Sequence, residues 1–132
     1  MTTQQIQQAP TEWPGSLPEF IVFQTLIRFG KDPVLDFSFQ TAVHGGRLEK
    51  GGLVIDFMFI NPPDLAINVQ GGFFHYEQGS PVIARDRMAR AQLAGDGIQL
   101  IFVDEQDILE DAEGIVRDAL RYIDRSVLGG GA

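Results

Sequence analysis

Apolar residues first recur at helical spacing in the run PEFIVFQTLIRF, where Phe20, Phe23 and Ile27 share a face with Val22 and Leu26 beside them. Local punctuation predicts both ends of this helix. Ser16 is a good N-cap, Pro18 suits the first turn, Glu19 completes a capping box three residues on, and Gly30 stops the run. The period then changes to two. DFSFQTAV alternates, with Phe37, Phe39 and Thr41 on one face and Asp36, Ser38 and Gln40 on the other. LVIDFMF reads as a second strand, apolar everywhere except Asp56, and the glycine pairs at 45–46 and 51–52 bracket RLEK as a hairpin-like turn before it. After the turn signal Asn61-Pro62-Pro63-Asp64, LAINVQG forms a third strand, with Leu65, Ile67 and Val69 opposite Ala66, Asn68 and Gln70. A helix over about residues 81–95 follows, then IQLIFV, apolar enough for a strand buried on both faces. The last helix is expected at about residues 112–126, with Ile115, Ala119 and Ile123 on one stripe and Val116 and Leu120 beside it. The order α-β-β-β-α-β-α predicts an α/β layered domain with a mixed sheet.

Composition narrows the function classes. The chain has 132 residues, enough for one domain with its own core, expected at residues 17–126 between a flexible N-terminal segment (1–16) and a flexible tail (127–132). It has no cysteine, which excludes disulfides, thiolate metal sites and a cysteine nucleophile, and its two histidines are too few for a His-rich zinc cage. The net charge of −8 is uneven, because residues 96–132 hold nine of the 18 acids and three of the ten bases. An acidic chain lacks the broad basic footprint of a non-specific nucleic-acid binder, so phosphate contacts would need a local patch, a metal or a partner. No segment approaches the ~20 apolar residues of a membrane span, and the first ten residues carry neither a base nor an apolar run. A soluble intracellular protein, host or viral, is the expectation.

The candidate chemistry centres on Asp56. A lone carboxylate inside an apolar strand is costly to bury unless it meets a cation or several donors. If the second and third strands are neighbours, Asp56, Asn68 and Gln70 line one pocket; the alternative is a carboxylate near a sheet end, bonded to backbone amides or Arg47. Glu19 borders the inward face of the first helix, so it can serve the capping box, reach a metal held by Asp56, or do both. His75 follows two glycines just past a strand, where it can act as a general base or steady a phosphate, or pack at the surface on Phe74 or Tyr76. His44, in a glycine-rich turn, reads as a surface residue. Arg85, Arg87 and Arg90 form the concentrated basic cluster, either a phosphate contact or a solvated helix face with Asp86 and Arg90 paired four apart.

An acid in a first helix, an Asp in a strand, a partner strand and then a histidine resemble the PD-(D/E)xK nuclease superfamily. The order is similar above all to very-short-patch-repair endonucleases and their stand-alone endonuclease-domain relatives. The resemblance covers about residues 17–125 and rests on Pro18-Glu19, Gln40, Val54-Ile55-Asp56-Phe57 and Ala66-Ile67-Asn68-Val69-Gln70-Gly71. It continues through Phe73-Phe74-His75, Asp86 and Arg90, Leu93-Ala94-Gly95 and Ile98-Gln99-Leu100-Ile101-Phe102. It implies a restriction-endonuclease-like three-layer domain, a central mixed sheet flanked by helices, acting on DNA with Mg²⁺ or Mn²⁺. Asp56 would be the principal metal ligand and Glu19 the supporting acid. Gln40 would orient water or phosphate, and Arg85, Arg87 or Arg90 would touch the DNA backbone. The chain departs from the family at the (D/E)-x-K pair, which here is Asn68-Val69-Gln70. In the very-short-patch-repair enzymes a backbone carbonyl and a final histidine serve at a similarly spaced run, which implies roles for the carbonyl of Val69 or Gln70 and for His75. The other implication is a catalytically silent module of structural or interaction type, in a phage or mobile-element setting. That module would engage a second copy or a protein partner through the acidic C-terminal region, in the host cytoplasm or the virion.

Overall fold

A computed structural model describes residues 10–43, 53–71 and 80–127. The expected turn around residues 44–52, with His44 and Arg47, and the segment 72–79, with His75, lie outside the described residues, as does the side chain of Arg85.

Helix α1 spans Leu17–Arg28 and opens with the full capping box: Glu19 N–H donates to Ser16 Oγ at 3.3 Å, and Ser16 N–H donates to Glu19 Oε1 at 2.6 Å. It closes at Gly30, whose φ of +86° lets Lys31 N–H reach back to Leu26 C=O. Phe20, Ile21, Val22, Thr25 and Leu26 are buried and Phe23 packs against the core, while Ile27, at the end of the expected face, is exposed. Strands β1 (Phe37–Val43), β2 (Leu53–Phe59) and β3 (Leu65–Gln70) pair antiparallel in sequence. Helix α2 (Ser80–Gly95) then carries the chain to β4 (Gln99–Asp104), which pairs parallel to β3. The sheet is therefore mixed, in the order β1-β2-β3-β4.

Helix α3 runs over Glu105–Leu120, beginning and ending earlier than the expected 112–126. It is kinked at Asp111, whose φ of −156° and ψ of 75° are not helical and whose Oδ1 accepts from Gly114 N–H, as an N-cap would. The local start signal at 112 is real, and a further turn precedes it. At the other end Tyr122 takes φ 64°, and Ile123 N–H closes back on Asp118 C=O. Ile123 therefore leaves the helix and is exposed rather than on the inward stripe. The hydroxyl of Tyr122 donates to Asp64 Oδ1 at 2.5 Å, tying this turn to the entrance of β3.

The apolar side chains divide into two layers. Phe37, Phe57, Phe59, Leu65, Ile67, Ile101 and Val103 pack against Ile21, Val22 and Leu26 of α1 and Ile108, Ile115, Val116 and Ala119 of α3. On the opposite face Ile55, Ala66, Leu100 and Phe102 meet Ala89 and Leu93 of α2. Two helices on one face and one on the other make three layers about the sheet.

Part of the acidic excess after residue 96 is spent inside the fold. Asp124 Oδ2 accepts from Phe102 N–H at 2.9 Å and Asp104 Oδ2 from Val127 N–H at 3.0 Å, so the last described residues fold along the outer edge of β4. No helix among the described residues is long and apolar enough to cross a membrane. Phe57 sits fully buried at the centre of the larger layer. In urea unfolding, Phe57→Ala is expected to lose about 3–5 kcal/mol. Met88→Ala, on the exposed side of α2, should stay within about 0.5 kcal/mol. Similar losses for the two would contradict this division of the core.

Candidate functional site

Strands β1 and β2 keep one register along their length, yet one rung is missing. Phe39 pairs with Phe57 and Thr41 with Ile55, whereas Gln40 and Asp56 between them form no ladder pair. Gln40 holds φ 59°, a left-handed conformation that costs a non-glycine residue about 1 kcal/mol or more. The pleat slips at this rung in both strands. Ile55 packs with the α2 layer while Phe57, two residues on, packs with the α1–α3 layer, although residues two apart normally share a face. In β1 the hydroxyls of Ser38 and Thr41, three apart, are hydrogen-bonded, so Thr41 lies with Ser38 rather than on the expected face with Phe37 and Phe39.

The pairing with β3 also opens here. Regular partners are Phe57 with Ile67 and Met58 with Ala66. At the next rung side chains replace the backbone: Asp56 N–H donates to Asn68 Oδ1 at 2.7 Å, and Val69 N–H donates to Asp56 Oδ2 at 2.8 Å. Of the three residues expected to line one pocket, Asn68 thus meets the Asp56 backbone. Gln70 is buried at 3% exposure, in register with Asp104. Val69 meets the carboxyl through its amide.

The Glu19 side chain reaches the neighbourhood of the Asp56 carboxyl from α1. Thirty-seven positions apart in sequence, the two acids expected to act together do meet. Burial, and then the Glu19 carboxylate, push the Asp56 acid up from 3.8 to about 8; the Val69 amide pulls the other way, and the charge of Asp86 on α2 adds to the rise. The rise favours a proton held by the Asp56–Glu19 pair. Among the described residues no three acid or histidine side chains converge as a complete cation cage.

The remaining described candidates differ in exposure. Gln40 is exposed, and so is Arg87 on α2. Arg90 is half-buried, its guanidinium 5.6 Å from the Phe102 ring centroid. A cavity of about 170 Å³ opens between Arg90, Ile98, Tyr122 and Asp124, away from the acid pair in its lining. Asp86, expected as the helix partner of Arg90 and among the residues of the resemblance, lies close enough for its charge to act on Asp56, and Gly15, not among the expected site residues, borders Glu19. A Cβ there would stand 2.6 Å from Glu19 Oε1. Comparison with protein-family models, curated proteins and solved structures finds no match for this chain.

The raised acid gives a definite pH dependence. Unfolded, Asp56 ionises near pH 4; folded, it ionises near pH 8. Between those values the unfolded chain has lost a proton that the folded chain keeps, so stability from this group is full at low pH and falls as pH rises to about 8. Asp56→Asn, which retains an acceptor for Val69 and a donor for Glu19, should gain on wild type from pH 4.5 to pH 8 by about 1 kcal/mol or more. Urea midpoints at the two pH values test this, and an equal difference at both would mean that Asp56 titrates normally.

Proposed function

We propose that this chain is a Mg²⁺-dependent DNA endonuclease of the PD-(D/E)xK type, nearest the very-short-patch-repair group, with a restriction-endonuclease-like three-layer fold. The observation that carries the reading is the meeting of Glu19 and Asp56 on the rung where the sheet opens. An acid buried beside another acid has to keep a proton, and a divalent cation is the species that would replace it. The donors are all oxygen, which suits Mg²⁺, an ion commonly held by one or two carboxylates and otherwise by water and substrate phosphate.

In this reading Asp56 and Glu19 hold the cation, with the Val69 carbonyl as a further donor. When bound, such an ion supplies a water activated for attack and neutralises charge on the phosphate. His75 takes the proton from the attacking water, a task Gln70 cannot perform because an amide is not a base. Gln40, exposed at the unpaired rung, orients water or phosphate, and Arg85, Arg87 and Arg90 on α2 contact the DNA backbone.

A second reading has one observation in its favour. At the positions where the family carries its (D/E)-x-K pair, Asn68 is committed to the Asp56 amide and Gln70 is buried. A chain that uses these residues to hold its strands fits a catalytically silent interaction module of nuclease fold.

Cleavage separates the two. Supercoiled, single-stranded and branched DNA are incubated with Mg²⁺ or Mn²⁺ and wild type, Asp56→Ala or His75→Ala. The endonuclease reading expects nicking by wild type and a loss of about 100-fold or more in each variant. No cleavage of any substrate, together with no calorimetric Mn²⁺ binding at pH 8, would leave the silent module.

A further inference from the structure

We infer that residues Trp13–Ser16 form a positioning strap for Glu19, and that Gly15 makes the strap possible because the Glu19 carboxylate occupies the space its side chain would fill. The inference rests on the reading of Glu19 as the supporting acid of the metal site. A Cβ on Gly15 would lie 2.6 Å from Glu19 Oε1, 2.7 Å from Phe39 Cζ and 3.1 Å from Trp13 Nε1. Its φ is not in the left-handed region, so space rather than backbone conformation demands glycine here.

None of the three neighbours is free to yield. Glu19 Oε1 accepts from Ser16 N–H at 2.6 Å. Phe39 is stacked on Trp13 at 4.6 Å between centroids and packed on Phe57 at 5.1 Å. Trp13 presses against Phe20 and Phe23 at 5.2 and 5.1 Å, and its indole N–H donates to Ser16 C=O at 3.0 Å. A capping box alone needs none of this. The residue before an N-cap usually contributes an apolar side chain to a staple against the fourth helical residue. Here that residue is Gly15, and Trp13 contacts Phe20 in its place.

The consequence is that the Glu19 rotamer is fixed before any ligand arrives. Ser16 N–H holds one oxygen, and the indole N–H ties the same residue through its carbonyl, so less side-chain freedom remains to be lost on binding. Gly15 and Trp13 touch neither substrate nor metal in this arrangement; they are positioning residues.

The test uses the full chain with Gly15→Ala, Trp13→Phe and Glu19→Gln, read by the Ser16 amide in ¹H–¹⁵N NMR and by Mn²⁺ calorimetry. A 2.6 Å bond to a carboxylate should give wild type a downfield, exchange-protected Ser16 amide. Gly15→Ala should move that resonance upfield, remove its protection and weaken Mn²⁺ about tenfold, with the helical circular dichroism retained. Trp13→Phe, which keeps the ring but loses the N–H, should shift both readings in the same direction and serves if Gly15→Ala does not fold. Glu19→Gln should lose Mn²⁺ binding and the downfield shift together. An unchanged Ser16 amide in both strap variants overturns the inference. Absence of Mn²⁺ binding by wild type defeats the metal reading instead, while the amide still reports on the strap.

Discussion

A carboxyl group placed in the middle of a β-sheet sets terms that everything near it must meet. Asp56 can neither be left without donors nor stay ionised beside Glu19 at low cost. The fold answers by opening the sheet on both sides of one rung. Gln40 turns left-handed on the β1 side, while Asn68 and the Val69 amide take the place of ladder bonds on the β3 side. The slip of the pleat follows, and it sends Ile55 to one layer and Phe57 to the other. Both packing layers of the domain therefore take their composition in β2 from a single polar residue.

Much of this was legible in the sequence, for identifiable reasons. The elements announced themselves because their local signals agreed: a capping box before α1, alternation in β1 and β3, and continuous apolar runs in β2 and β4. Glu19 and Asp56 stood out because an acid next to buried positions calls for an explanation. The strand faces beyond the rung were another matter. Alternation extrapolated through Gln40 and Asp56 put Thr41 with Phe39, and no one-dimensional pattern marks the residue at which a pleat slips. The ends of α3 were shifted because Asp111 carries a start signal inside a longer helix and because Tyr122, not glycine, takes the left-handed closing position. Gly15 escaped notice since its role is the absence of a side chain, which becomes visible only once Glu19 and Phe39 are seen to crowd it.

The strand position opposite Asp56 carries a competition between backbone bonding and charge. Asn68 supplies through its amide oxygen the acceptor that the Asp56 backbone needs where the strands part. A carboxylate in that position would also accept this bond, but it would add a third acid to a place that already favours a proton on the Asp56–Glu19 pair. The Asn therefore satisfies the strand backbone without adding a third negative charge to the rung.

The folding of the last described residues along β4 bears on how the molecule meets its surroundings. A strand at the border of a sheet is a template on which another strand can grow, and unprotected borders invite open-ended polymerisation. Asp124 and Asp104 remove part of that template by holding the outer amide of Phe102 and the amide of Val127, and they bring negative charge to the same border. Any strand that approached there would have to displace a hydrogen-bonded carboxylate before adding a bond of its own. Among the described residues, this border of the sheet is thus partly occupied by the chain's own carboxylates.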